Sequence, residues 1–183
     1  MNKRIVVFGS FVVDLTARTP RLPTPGETVL GKSFAMGPGG KGSNQAVAAH
    51  RAGGDVTLVT KVGRDVFGTV AMDFYHKEGM DTAYILEDPD GESGCALITV
   101  DETTAQNEIV VVSGACGRIT PQDVERVRLL IQSAGVLLVQ LEVNFDALFA
   151  VIRIAHEAGV PVVLNPAPAA KLPPEIVRMV TIM

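Results

Sequence analysis

Short apolar runs alternate with segments of helical period along most of this chain, and that alternation limits its possible folds more than any other feature. Ile5-Val6-Val7-Phe8, Val56–Val62, Val136–Leu141 and Val160–Leu164 have the β-branched, nearly unbroken character of strands covered on both faces. Between them, apolar residues recur at helical spacing: Phe67, Val70, Ala71 and Phe74; then Val124, Val127, Leu130 and Ile131; then Leu148, Ile152 and Ala155. Gly53-Gly54, Gly79 and Gly159 stop helices, while Thr120-Pro121-Gln122-Asp123 supplies a cap, a proline for the first helical position and an acid for the first turn. Asn144 is read as the cap of the next helix. Thr82–Leu86 reads as a short strand, Pro174–Met179 as a short helix, and Val180–Met183 as the beginning of another strand. Strand and helix in strict turn predict an α/β fold with a mainly parallel sheet and right-handed crossovers.

Two segments depart from this rhythm. In Leu15–Met36 the turn Leu22-Pro23-Thr24-Pro25-Gly26 separates two half-polar stretches, Leu15–Arg21 and Glu27–Phe34, which read as exposed strands of a small flap. Cys95–Val100 and Glu108–Ser113 flank a polar connection, Asp101–Asn107, and read as a second hairpin that pairs with the first. At 183 residues the chain is long enough to bury one good core. Its net charge of −4 argues against a nucleic-acid or anionic-membrane surface. Cys95 and Cys116 have neither metal nor disulfide spacing and read as inert thiols of a reducing compartment. The basic front, Met1-Asn2-Lys3-Arg4, precedes an apolar run too short for an export signal, and no stretch is long enough to span a bilayer. A cytoplasmic location is the expectation.

The most permissive stretch of backbone is Gly37-Pro38-Gly39-Gly40-Lys41-Gly42-Ser43-Asn44, with four glycines in six residues. It leads into Gln45–Ala52, a strong helix former. The first amides of a helix point outward with partial positive charge, Lys41 adds a full one, and Ser43 or Asn44 is expected to cap the helix. Such a place suits a polar or anionic small molecule. Gly37, Gly39 and Gly42 match G-x-G-x-x-G, but a dinucleotide turn must directly follow the first strand. Here Arg4–Gly9 is followed instead by Ser10-Phe11-Val12-Val13-Asp14. The phosphate-loop pattern G-x-x-x-x-G-K-[ST] fails outright.

Parallel sheets bind ligands outside the carboxyl ends of their strands. Val12-Val13-Asp14 reads as closing the first strand segment, and Asp14, Glu142 and Asn165 each lie just past the carboxyl end of a predicted strand. Two carboxylates, the amides of Asn44 and Asn165, Lys41 and bare backbone amides form a hydrogen-bonding set suited to a polyol. A metal site is the competing reading for paired carboxylates, but no compact ligand cluster supports it. His50, His76 and His156 fall on predicted helices without catalytic partners, and Met36, Met72 and Met80 form no stripe.

With these residues in hand, the whole chain resembles the ribokinase family of carbohydrate kinases. The resemblance rests on Gly9-Ser10 with Asp14, on Pro25-Gly26-Glu27-Thr28, on Gly39-Gly40-Lys41-Gly42-Ser43-Asn44-Gln45-Ala46 with Gly53, on Gly63-Arg64-Asp65 with Gly68, on Gln140-Leu141-Glu142 and on Asn165-Pro166-Ala167-Pro168-Ala169. It implies a parallel α/β domain over residues 1–183 with a β-sheet lid from segments 15–36 and 93–113, a lid often used for homodimer contact. It implies phosphoryl transfer from Mg-ATP to a pentose such as ribose, with a monovalent cation. The substrate-binding set implied is Val12, Val13, Asp14, Gly40, Lys41, Gly42, Ser43, Asn44 and Glu142. The family's catalytic aspartate base and nucleotide pocket belong to a C-terminal part beyond these residues, so no catalytic, cofactor or metal residue is expected among them. The chain is read as the sugar-binding half of a kinase, inactive alone; a sugar-binding module without catalysis and a nucleotide-binding oxidoreductase domain are the other readings. One position departs from the family. Ribokinases carry an asparagine where Val12 stands, two residues before the sugar-binding aspartate. An apolar wall there favours deoxyribose or another sugar lacking that hydroxyl.

Overall fold

A computed structural model describes residues 4–183; the basic front at Met1–Lys3 lies outside the described residues. The principal sheet contains β1 (Ile5–Phe8), β4 (Val56–Gly63), β5 (Ile85–Asp88), β8 (Val136–Gln140) and β9 (Val162–Asn165) in the order β5-β4-β1-β8-β9. All of its pairings are parallel. The period of two along β1 divides the core. Val6 and Phe8 join the cluster under α3 (Pro121–Gln132), α4 (Phe145–Glu157) and α5 (Pro174–Val177), whereas Val7 joins the one under α1 (Lys41–Arg51) and α2 (Val66–Glu78). Helices on both faces explain why these strands read as unbroken apolar runs.

The lid is a second sheet of four strands: β2 (Val12–Thr19), β3 (Ser33–Gly39), β6 (Gly94–Asp101) and β7 (Asn107–Val112), in the order β3-β2-β6-β7. The two hairpins are antiparallel, and they join through the parallel pair β2–β6.

Several local expectations are corrected. Val12-Val13-Asp14 does not close the first strand. The chain leaves the principal sheet after Phe8, the main chain of Phe11 is held by Cys116 Sγ, and residues from Val12 onward pair with β3 and β6 in the lid. The returning flap strand begins at Ser33 rather than Glu27 and takes Gly37 and Gly39 into its ladder. Helix α1 begins at Lys41, four residues before the predicted start, and neither Ser43 nor Asn44 caps it. Gly40 occupies the cap position at φ 92° with no side-chain bond, and the amide of Ser43 donates to the Ser10 carbonyl at 2.8 Å. Asn144 precedes α4 but caps nothing with its side chain, which instead exchanges two 3.0 Å hydrogen bonds with the main chain of Ile119. The short strand near Thr82 begins at Ile85. Val180–Met183 makes a single parallel bridge, Ile182 to Val163. The Thr120 cap forms as read, a full capping box with Asp123.

Candidate functional site

The seam between the lid and the carboxyl edge of the principal sheet holds a cavity of about 160 Å³. Its lid wall follows from strand register. Asp14 pairs with Ala96, which pairs with Val111; Thr16 pairs with Ile98, which pairs with Ile109. Side chains two apart share a face, so Val12, Asp14, Ala96, Ile98, Ile109 and Val111 all line the hollow. The opposite wall is polar. The first turn of α1 presents Lys41 and Asn44, Gly40 contributes bare backbone, and the turn after β8 presents Glu142.

Close approach of backbones makes this possible, and two glycines permit it. A Cβ at Gly39 would fall on the Asp14 carboxyl group, and one at Gly42 would lie 2.6 Å from the main chain of Gly9 and Ser10.

The two carboxylates are held differently. Glu142 accepts from Lys41 Nζ at 2.5 Å on Oε1, and from the Lys41 amide at 2.7 Å and Ser10 Oγ at 2.6 Å on Oε2. Burial raises the pKa of its carboxyl, but the hydrogen bonds from Lys41 and Ser10 outweigh that and hold it below the usual range. Asp14 accepts no hydrogen bond among the described residues. Its burial, reinforced by the Glu142 carboxylate and opposed by Lys41, raises its pKa above the ordinary carboxylate value. One wall therefore carries an ion pair whose carboxylate accepts from three protein donors, and the other an acceptor without a partner.

Of the residues singled out in the sequence, Val12, Asp14, Gly40, Lys41, Asn44 and Glu142 meet at this hollow. Val13, Gly42 and Ser43 stand behind it. Val13 is part of the core under α1 and α2, Gly42 packs on Gly9, and the Ser43 hydroxyl accepts from buried Tyr75 at 2.7 Å. Asn165 ends β9 opposite Gln140 and does not line the hollow, and Asp14 reaches it from within the lid strand β2, so of the three expected strand-end residues only Glu142 arrives from the carboxyl edge of the principal sheet. Sequence reasoning missed Ser10, whose hydroxyl is fully buried under Glu142, and the amide pair in which Gln140 donates to Gln45, tying β8 to α1. It also passed over the apolar lid residues, although the alternation in Cys95–Val100 carried a signal for them.

A larger hollow of about 400 Å³ lies between α3 and α4, lined by Val124, Arg128, Ala150 and Arg153 among others, and none of the predicted site residues reaches it. His50 lies on α1, where its ring meets the Glu78 carbonyl, His76 on α2 and His156 on α4. Cys116 is enclosed, and burial pushes its thiol pKa up. Among the described residues no group of three or more His, Cys, Asp or Glu is placed to hold a metal ion, and no helix is long and apolar enough to cross a membrane.

Comparison with known proteins gives a consistent result. The profile of the pfkB family carbohydrate kinases matches residues 2–183. The chain is 40% identical over 179 residues to the ribokinase of Bacillus subtilis, covering 98% of this chain and 60% of that protein. It is 36% identical over 167 residues to the deoxyribokinase of Salmonella typhi, covering 91% of this chain and 54% of the relative. Its fold matches the Arabidopsis thaliana ribokinase solved with ribose and ATP at a TM-score of 0.83 and 27% identity, over 98% of this chain and 59% of that one. The chain thus spans 60% or less of the length of these curated relatives.

Proposed function

Because this chain belongs to the pfkB family of carbohydrate kinases, we propose that it forms the sugar-binding part of an enzyme that phosphorylates a pentose from ATP. The observation that carries this reading is the meeting of Asp14 with the Lys41–Glu142 pair in one small hollow under the lid, although 101 residues separate the members of that pair. A carboxylate with free acceptor sites takes two neighbouring hydroxyls at once, Lys41 and the Asn44 amide donate, and the lid covers the ring's apolar edge. These residues bind and orient the sugar and exclude water. Magnesium and the nucleotide supply the phosphoryl group and its charge neutralisation in such a reaction. Among the described residues no group of three or more His, Cys, Asp or Glu is placed to hold that ion, and their part is to hold the sugar for the transfer.

Calorimetric titration of the protein with ribose, 2-deoxyribose and a hexose tests the reading. Binding of a pentose that Asp14→Ala abolishes, with folding intact, is the expected result. Unchanged affinity in that variant would place the site elsewhere.

Val12 favours a second reading, preference for a deoxypentose. It stands beside Asp14 within a lid wall that is otherwise Ala96, Ile98, Ile109 and Val111. A buried hydroxyl facing that wall lacks a partner, so a sugar without it loses nothing there. The deoxyribokinase relative is in keeping with this, and tighter binding of ribose than of deoxyribose would end it.

The lid also offers a surface for a second copy. Val110 and Val112 of β7 point away from the hollow and are 61% and 53% exposed, alongside exposed Phe34 and Met36. An apolar edge strand of this kind calls for a cover, and the reading is a homodimer formed through the lid. Light scattering that gives a monomer for the native protein would exclude it.

A further inference from the structure

We infer that Ser10 is a positioning residue of the sugar site, fixing the Glu142 carboxylate so that a single acceptor position on Oε1 remains for a ligand. The inference rests on the sugar-site reading above and deepens it.

Ser10 lies where the chain passes from β1 into the lid strand β2, and it is completely buried. Its hydroxyl is 2.6 Å from Glu142 Oε2, and the same oxygen also accepts from the Lys41 amide at 2.7 Å. A carboxylate has about four acceptor positions in all. Two are filled on Oε2 and one on Oε1 by Lys41 Nζ, so one is left. Asp14, without a partner, keeps all of its own. The division of labour follows: Asp14 takes a pair of hydroxyls, and Glu142 mainly holds Lys41 and the start of α1, with room for one further donor.

Ser10 serves this arrangement at three points. Its carbonyl accepts from the Ser43 amide at 2.8 Å, its hydroxyl anchors Glu142, and the Gly42 amide approaches that hydroxyl oxygen at 3.4 Å. No other side chain reaches Glu142 Oε2 among the described residues. Loss of the hydroxyl would leave a buried carboxylate oxygen with one donor fewer and free the carboxylate to rotate toward the hollow, carrying Lys41 with it. The titratable groups that face Glu142 are Lys41 and Asp14 across the hollow and the Cys116 thiol behind it. The Ser10 hydroxyl favours the ionised form of Glu142 together with Lys41.

The test is a Ser10→Ala variant of the full-length protein, read in two ways. The first is the NMR titration of the Glu142 side-chain carboxyl without sugar; its midpoint is expected to move to higher pH than in the native protein. The second is calorimetric affinity for the pentose that the native protein binds, expected to weaken about tenfold at neutral pH, with the acid limb of binding displaced in the same direction as the midpoint. Ser10→Cys, close in size but a weaker donor, is expected to fall between the two and replaces the alanine variant if that fails to fold. An unmoved Glu142 midpoint in a folded variant overturns the inference. A moved midpoint with unchanged affinity overturns the role in sugar binding and leaves only the local network. Failure of the native protein to bind any sugar strikes the functional reading itself and is recognised by that control alone.

Discussion

The principal sheet and the lid sheet are made of similar residues but stand in opposite relations to water. In the principal sheet Val6, Val7 and Phe8 are completely buried, packed between helices on both faces. In the lid, Ile109 to Val112 are about half exposed on either face of β7. One sheet buries its apolar surface in its own core; the other leaves apolar side chains open to water on both of its faces. The same contrast recurs in the carboxylates. Glu142, carried by the principal sheet, accepts from three protein donors, whereas Asp14, carried by the lid, accepts from none among the described residues. Burial is thus concentrated in the doubly covered sheet, while open apolar surface and a carboxylate without a partner belong to the exposed one, and they meet at the seam.

The largest expected effect breaks the covered side. Leu148→Ala removes a fully buried side chain from the α3–α4 core and should destabilise the protein by about 2–5 kcal/mol. Val110→Ser in the lid should change the unfolding free energy of the monomer by about 0.5 kcal/mol or less. Urea unfolding measures both, and equal losses would erase the distinction between the sheets.

Next comes Asp14→Asn, which separates binding from stability. Pentose affinity should fall on the order of a hundredfold, through loss of charged hydrogen bonds. Stability should move the other way. The folded-state pKa of Asp14 is raised, so its contribution is present at low pH and is lost as pH rises through the folded value. At neutral pH the native aspartate is therefore a liability in the empty site, and the amide should melt at a higher temperature. A lower melting temperature would mean that Asp14 has a structural partner after all.

Glu142 has the reverse sign. Its folded-state pKa is depressed, so its contribution is present above the ordinary value of 4.5 and is lost as pH falls through the folded value. Acid unfolding of Glu142→Gln should be correspondingly less steep than that of the native protein, a modest effect visible in melting temperature against pH. The smallest expected change is in selectivity. Val12→Asn should shift the ratio of ribose to deoxyribose affinity toward ribose by about tenfold, measured by competitive titration.

Much of this was legible in the sequence because the principal sheet is built by local rules. Apolar runs, helical period, the Thr120 cap and the Gly79 stop all announce themselves within a few residues, and the pairing of the two hairpins followed from their turns. The site was less legible because its geometry depends on register and on backbone contact between distant segments. Gly37 and Gly39 read as a loop, yet they lie in a strand ladder opposite Asp14 and Val12. Lys41 to Asn44 read as loop and cap, yet they form the first helical turn, since Gly40 with positive φ makes the bend and the Ser10 carbonyl satisfies an amide that a side-chain cap would otherwise take. Asn144 reads as a cap because a short polar side chain before a helix is usually one, but the main chain of Ile119, 25 residues away, competes successfully for its amide. Asn165 stood at a strand end like Glu142, but its strand is at the far side of the sheet, beyond β8. Ser10 enters the sequence reading only through the Gly9-Ser10 motif, without a role of its own, since a serine after a glycine is ordinary until its hydroxyl is found beneath Glu142.

The most direct test of the central claim is a crystal structure of the protein with a bound pentose. Sugar is expected in the seam, with two hydroxyls within hydrogen-bond distance of the Asp14 carboxylate and at most one on Glu142 Oε1, and with the lid wall of Val12, Ala96, Ile98 and Val111 against its less polar side. Sugar seated between α3 and α4, with Asp14 still lacking a partner, would contradict it.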